Sequence, residues 1–115
     1  MTDRELLELA AKAAGVEQIE RVQVDEEDEN PKYLYVRLEH GLTYTTFWDP
    51  LGDDGDALRL AVKLGLVVEI GYASRGFVVV RTNTDNWVEY REAWGDCPYA
   101  ATRRAIVRAA AGLSK

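Results

Sequence analysis

Four aspartates lie within eight residues in the segment FWDPLGDDGDALRLAVKLG, residues 47–65: Asp49, Asp53, Asp54 and Asp56. Carboxylates this close together can hold a divalent cation, or they can cap and charge the start of a helix. A helical apolar pattern begins directly after them, and each negative charge near a helix N-terminus stabilises it by about 0.3–1 kcal/mol. We therefore predict that Asp53 or Asp54 caps a helix. A metal-dependent enzyme at Asp53–Asp56 is the alternative.

The remaining residues that could do chemistry are few. The single cysteine, Cys97, precludes an internal disulfide and a zinc site built from thiolates. It lies at a predicted helix start, which stabilises a thiolate, but a nucleophile also needs a base. The single histidine, His40, precedes Gly41 where a two-residue turn is expected. With no phosphate-binding glycine loop, the sequence predicts no catalytic, cofactor-binding or metal-ligating residue and no cofactor, so we expect a protein that is not an enzyme.

The charge distribution bears on the kind of partner. The net charge of −6 opposes general binding to nucleic acid. Most acidic residues lie in residues 1–57 and most basic residues in 58–115. The simplest interpretation is that the two halves face each other; the alternative is a basic patch on the last helix that meets an acidic partner.

A candidate partner-binding surface combines arginines of the last helix with two tyrosines of a predicted strand. Exposed tyrosine and arginine side chains make strong protein contacts. Tyrosines can also stack single-stranded bases, but five consecutive acids at 25–29 oppose that use. The candidate residues are Arg103, Arg104, Arg108, Tyr33 and Tyr35.

Three helices are predicted near 3–14, 54–64 and 98–112. Thr2 and Glu5 form a capping box for the first, and Gly15 and Gly65 are stop signals for the first two. Asp96 is placed to cap the third, with Pro98 in its first turn. The second helix has a wide apolar arc, so we expect it to be mostly buried; the arc consists of Ala57, Leu58, Leu60, Ala61, Val62 and Leu64.

Alternating and β-branched segments predict strands between these helices. The segments KYLYVRLE and LTYTTFW flank His40-Gly41 and predict a hairpin, which Pro50 ends. The segments LVVEI and FVVV predict a second hairpin, WVEYRE a further strand and VEQIERVQVD a weak one. Short turns imply antiparallel pairing. We predict one domain, residues 1–115, of α+β class: a three-layer α/β/α sandwich with a mainly antiparallel sheet of about 4–5 strands.

The sequence favours a cytoplasmic protein that does not enter a membrane. No apolar run approaches the ~20 residues that a membrane-spanning helix needs. The N-terminal segment MTDRELLELAAKAAG interleaves charges with leucines, unlike a secretory signal.

An internal similarity relates two segments of the chain. LLELAAKAAGVEQI and ALRLAVKLGLVVEI share leucine, alanine, lysine and glycine in order, followed by a valine or isoleucine segment. The similarity indicates a helix followed by a hairpin, used twice. It carries no functional inference by itself.

The segments FWDPLGDDGDALRLAVKLGL and DCPYAATRRAIVRAAAGL resemble the phage ABA sandwich family, which comprises small uncharacterised proteins of tailed phages and prophages. The resemblance covers both ends of the chain and implies a sheet between helical layers. It implies no reaction and no functional residues.

The leading expectation is therefore a non-enzymatic phage or prophage accessory protein. It would bind another protein, of the host or the phage, or a second copy of itself as a dimer. The alternatives are a small nucleic-acid-associated regulator that uses the basic last helix, and the metal-dependent enzyme at Asp53–Asp56.

Overall fold

The fold is α+β, with helices and antiparallel strands alternating along the chain. The computed structural model describes residues 2–15, 17–22, 32–39, 42–71, 76–83 and 88–114, with backbone only for 17–22, 32–39 and 42–47. Three helices lie in this part: α1 (Asp3–Ala14), α2 (Asp54–Leu64) and α3 (Pro98–Gly112). The strands are β1 (Glu17–Val22), β2 (Lys32–Glu39), β3 (Leu42–Trp48), β4 (Val67–Ile70), β5 (Phe77–Arg81) and β6 (Glu89–Ala93).

The helix boundaries agree with the prediction, because capping residues set them. The Thr2 side chain accepts a hydrogen bond from the Glu5 N–H, and the Asp53 side chain accepts one from the Asp56 N–H. At the other ends, Gly15 and Gly65 take left-handed conformations with φ of 68° and 64°. Glycine enters this region without steric cost, so both helices stop there.

The cap of α3 differs from the prediction. Cys97, not Asp96, is the N-cap: its Sγ accepts a hydrogen bond from the Ala100 N–H at 3.4 Å. Pro98 is the first residue of the helix. Because proline is favoured at this first position, the residue directly before it becomes the cap. Asp96 lies one residue too early and is exposed.

The strands form two separate three-stranded antiparallel sheets, in the orders β1-β2-β3 and β4-β5-β6. Glu39 lies opposite Leu42, which confirms the first predicted hairpin. Its turn at His40-Gly41 and the acidic segment 25–29 lie outside the described residues. The described part thus contains six strands in two sheets rather than one sheet of 4–5 strands, and a three-layer sandwich stays a prediction.

Helix α3 lies at the centre of the hydrophobic core. It packs against α1 and α2 and also against β5 and β6. Small side chains allow neighbouring elements to approach closely, and α3 is buried along alanines on several sides. Val78 and Val80 of β5 are fully buried in the same core. The buried residues of α3 are Ala101, Ala105, Ile106, Val107, Ala109, Ala110 and Ala111.

Helix α2 is less buried than its apolar arc predicts. Ala57, Leu60 and Ala61 are buried, but Leu58 is 63% exposed and Val62 is 73% exposed. The three buried residues share one helical face, whereas Leu58 and Val62 lie one turn apart on its flank. Only the first face lies in the core, so the prediction of a mostly buried helix is wrong.

The internal similarity corresponds to a repeated order of elements. Each of α1 and α2 is followed by a three-stranded antiparallel meander. When Gly15 and Gly65 are superposed along the sequence, each buried residue of α2 matches a buried residue of α1, whereas Leu6 and Ala14 of α1 have no buried match. The matching pairs are Leu7 with Ala57, Ala10 with Leu60, and Ala11 with Ala61.

We predict that Gly112→Ala destabilises the protein by about 1–2 kcal/mol, a typical cost of overpacking. A Cβ at Gly112 would overlap the Tyr90 hydroxyl and lie 2.9 Å from its Cζ. Helix propensity alone would give the opposite sign, a gain of about 1 kcal/mol. Urea unfolding measures the change. In a Tyr90→Phe background the cost should fall, because the overlapping oxygen is gone; a stabilising Gly112→Ala in the wild-type background would contradict the packing.

Candidate protein-binding surface

The carboxylates around the start of α2 accept hydrogen bonds from backbone N–H groups of the same segment. The Asp56 N–H donates to Asp53 Oδ2 at 2.8 Å, and the Asp49 N–H donates to Asp56 Oδ2 at 2.9 Å. The Gly52 N–H donates to Asp49 Oδ1 at 3.1 Å. The carboxylates therefore satisfy N–H groups that the helix start and the preceding turn would otherwise leave without partners.

Two arginine side chains donate hydrogen bonds to further carboxylate oxygens of this cluster. Asp56 Oδ1 accepts from Arg59 at 2.7 Å, and Asp54 Oδ1 accepts from Arg103 at 2.6 Å. Within the described ranges, no group of three or more histidine, cysteine, aspartate or glutamate side chains could hold a metal ion. The geometry of the cluster is that of helix capping and ion pairing, and Asp53 has the capping role that the sequence predicts.

Arg103 connects α3 to the start of α2. Its Nε donates to the Leu51 carbonyl at 2.7 Å, and one of its terminal nitrogens pairs with Asp54. Its side chain is only 17% exposed. A hydrogen bond from a charged donor to a partly buried carbonyl is among the stronger kinds, so Arg103 holds the loop before α2 against α3.

Arg104 connects α3 to α1. It binds both carboxylate oxygens of Asp3, at 3.0 and 3.2 Å. The hydrogen bond from Arg104 to Asp3 raises the pKa of Arg104 above its ordinary value, against the lowering effect of burial. Since the pKa is raised on folding, this stabilisation is fully present below the unfolded-state pKa. It is lost only when the pH rises through the folded-state pKa, so the guanidinium is charged at neutral and acidic pH.

Arg108 connects α3 to β6. It donates to Glu92 Oε1 at 2.7 Å and to the Arg91 carbonyl at 3.1 Å. Its guanidinium carbon lies 5.5 Å from the centre of the Tyr90 ring, within the range of a cation–π contact. Each of the three predicted surface arginines thus has an intramolecular carboxylate partner, and any external partner would compete with these contacts.

The two tyrosines of the predicted surface lie in β2, two residues apart and hence on one face of the strand. In the backbone register, Tyr33 lies opposite Trp48 and Tyr35 opposite Thr46. Their side chains lie outside the described part of the structure. Their inclusion in a binding surface stays a prediction.

One flank of α2 is exposed where its apolar pattern predicts burial. Leu58 and Val62 lie one helical turn apart and form a continuous apolar ridge. We name this surface, made of Leu58 and Val62, the α2 outer face. In the register that superposes Gly15 and Gly65, the matching positions of α1 hold Glu8 and Lys12, which are exposed.

Other large exposed apolar side chains lie outside α2. They belong to β4, β5, the segment before β6, and the two ends of α3. They are Val67, Ile70, Phe77, Val88, Tyr99 and Leu113. Single exposed apolar residues are ordinary on protein surfaces, so the paired spacing of Leu58 and Val62 distinguishes α2 from these positions.

The other two residues considered for chemistry are Cys97 and His40. Cys97 is exposed and caps α3, and His40 lies outside the described residues. None of the described helices is long and apolar enough to span a membrane.

The fold and the α2 outer face define an α+β protein with an exposed apolar ridge on one helix. The chain matches no protein-family model, no curated protein and no solved structure.

We predict that Arg103→Met destabilises the protein by about 1–3 kcal/mol, because it leaves the partly buried Leu51 carbonyl without its charged donor. Arg4→Met is the matched control. The Arg4 side chain is 51% exposed and pairs only with Glu8, so its loss should cost less than about 0.5 kcal/mol. Equal effects of the two substitutions in urea unfolding would contradict the bridging role of Arg103.

We also predict that Asp53→Ala costs about 1 kcal/mol, whereas Asp53→Ser costs close to zero because serine caps a helix as well. Thermal unfolding with and without Ca²⁺ or Mg²⁺ tests the metal alternative. If the cluster held a cation, the ion would raise the Tm of the wild type and would not raise that of Asp53→Ser. Capping alone predicts the same Tm with and without the ion.

Proposed function

We propose that the chain is a non-enzymatic protein-binding domain, a phage or prophage accessory protein that acts in the cytoplasm of a bacterial host. Its binding surface is the α2 outer face. The observation that carries this proposal is the exposure of Leu58 and Val62, 63% and 73%, at adjacent turns of one helix. Apolar residues at this spacing are the usual anchors when a helix binds a protein.

Comparison of α1 with α2 supports a binding role for this ridge. When Gly15 and Gly65 are superposed, the buried residues of α2 all match buried residues of α1. In that register α1 has Glu8 and Lys12 where α2 has Leu58 and Val62. Charged residues therefore fit this position in the fold. Because Leu58 and Val62 are exposed, they contribute little to the folding of α2. A contact with another molecule is their most direct use.

The contacts of the three α3 arginines favour protein binding over the nucleic-acid alternative. Arg103, Arg104 and Arg108 each pair with a carboxylate at 3.0 Å or less. A nucleic-acid surface needs cations that are free to contact phosphates. The competing carboxylates and the net charge of −6 both oppose that contact.

The phage or prophage origin rests on the resemblance of the α2 and α3 segments to the phage ABA sandwich family. The cytoplasmic location and the three-layer arrangement belong to the same proposal. The α+β class, with α3 packed against β5 and β6, is compatible with that family's layered plan.

The proposal predicts that a tagged chain captures a protein through the α2 outer face. The wild type and the variant Leu58→Glu/Val62→Lys, which gives α2 the residue types of α1, are expressed in the host and purified by their tag. Ile70→Thr, a change at an exposed apolar residue of β4 that is 56% exposed, is the control. We expect mass spectrometry to identify a protein that is at least about tenfold depleted only with the doubly charged variant.

Two results would contradict the proposal. One is the same set of captured proteins with all three chains, and the other is an empty capture in every case. A salt-dependent mobility shift of DNA or RNA that the Leu58→Glu/Val62→Lys variant retains would support the nucleic-acid alternative instead.

A further inference from the structure

We infer that Arg108 blocks the free edge of the sheet β4-β5-β6, so that β6 does not pair with a strand of another copy of this chain. The inference concerns a different part of the molecule from the α2 outer face and does not rest on the proposed function. It rests on the direction of the backbone groups of β6 and on what Arg108 binds there.

The hydrogen bonds on either side of β6 show which of its backbone groups face that edge. The Thr82 N–H donates to the Val88 carbonyl at 3.2 Å. At the other end of the strand, the Trp94 N–H donates to the Gly76 carbonyl at 2.8 Å. Hydrogen-bonded and non-hydrogen-bonded pairs alternate along an antiparallel ladder. Counted from either bond in the register of β5 and β6, Arg91 belongs to a pair that is not hydrogen-bonded, so its N–H and C=O point away from β5.

β6 is an outer strand of this sheet, with no neighbouring strand on its far side among the described residues. The same alternation directs the N–H and C=O groups of Glu89 and Ala93 outward as well. A row of outward N–H and C=O groups is a template on which a strand of another chain can pair. In a purified protein, the only strand available for that pairing belongs to a second copy.

Arg108 lies at the middle of this row of backbone groups. Its Nη1 donates to the Arg91 carbonyl at 3.1 Å. A pairing strand would have to bring an N–H of its own to the same carbonyl, at the position that the guanidinium occupies. A charged donor also makes a stronger hydrogen bond than the backbone N–H that would replace it. The contact therefore opposes pairing both by the space it fills and by the strength of its bond.

Two neighbouring side chains hold the Arg108 guanidinium at the edge. Glu92 Oε1 accepts from its Nη1 at 2.7 Å, and the centre of the Tyr90 ring lies 5.5 Å from its central carbon. Tyr90 and Glu92 alternate with the more exposed residues of β6, and they lie opposite the fully buried valines of β5. To admit a strand, Arg108 would have to leave Glu92, whose side chain is only 22% exposed, without its partner. Leaving a partly buried carboxylate unpaired is costly.

The opposite edge of the sheet offers less to a pairing strand. β4 has four residues, and the alternation directs the backbone groups of only Val68 and Ile70 outward. Short edge strands are one of the ways in which proteins avoid pairing with other chains. The blocking contact thus lies at the edge that has the longer row of outward groups.

Sedimentation velocity of the full chain, from about 5 μM to 1 mM, compares the wild type with Arg108→Met. Methionine keeps an unbranched side chain but donates no hydrogen bond. We expect Arg108→Met to associate at least about tenfold more strongly than the wild type, because the Arg91 carbonyl becomes available to a pairing strand. Equal association of the two chains would overturn the inference.

Arg103→Met is the matched control. Arg103 also lies on α3 and also binds a main-chain carbonyl and a carboxylate, those of Leu51 and Asp54, but neither residue belongs to a strand. Its loss should destabilise the fold without opening the edge of a sheet. If Arg103→Met associated as strongly as Arg108→Met, destabilisation alone would explain the association, and the edge would have no part in it.

A proline substitution at Arg91 tests the edge directly. Because the Arg91 N–H points away from β5, Arg91→Pro removes no hydrogen bond between β5 and β6, and edge strands tolerate proline in that orientation. Adding Arg91→Pro to Arg108→Met should return association to the wild-type level. Association that persists in the double variant contradicts pairing at this edge. So does a wild type that already associates and stops doing so with Arg91→Pro alone.

Circular dichroism checks that each variant is folded. If Arg108→Met is not, Arg108→Met/Glu92→Gln replaces it, because glutamine removes the unpaired charge and keeps the size of the side chain. Amide hydrogen exchange provides a second measurement. At the higher concentrations, the Arg91 N–H of Arg108→Met should exchange more slowly, because it is bonded to the added strand. Exchange at Arg91 that does not depend on concentration would also overturn the inference.

Discussion

The burial of α3 between the other two helices and the second sheet is the constraint on which the rest of the structure depends. A helix covered on several sides needs small residues, and alanines occupy most of its buried positions. Their small volume limits the apolar area that each contact removes from water. Directional contacts must therefore fix the relative positions of the elements, and the arginines supply them.

The three arginines also explain the uneven charge of the chain. Arg103 and Arg104 of the basic second half pair with Asp54 and Asp3 of the acidic first half. These pairs support the interpretation that the two halves face each other. The spacing of basic residues in a sequence shows only that they share a helix. The contacts they make in the folded protein decide whether their charges are free to bind another molecule.

Local signals were sufficient to predict the helices and most strands. Caps such as Thr2, Asp53 and the left-handed glycines act within a few residues, so the sequence contains them in full. Properties set by long-range packing were not predictable in this way. How the strands divide into two sheets, the exposure of Leu58 and Val62, and the partners of Arg103 and Arg104 all depend on elements distant in sequence. The error at Asp96 was local, a shift of one residue relative to Pro98.

Helices α1 and α2 can be compared with each other within this one chain. Leu58 and Val62 on one side, and Glu8 and Lys12 on the other, occupy matching positions beside matching buried faces. Full burial of a leucine or valine gains about 1.5–3 kcal/mol relative to exposure. The isolated chain forgoes most of that gain at both positions, whereas α1 has charged residues that water solvates well. Leucine and valine at these two positions become favourable when another surface covers them.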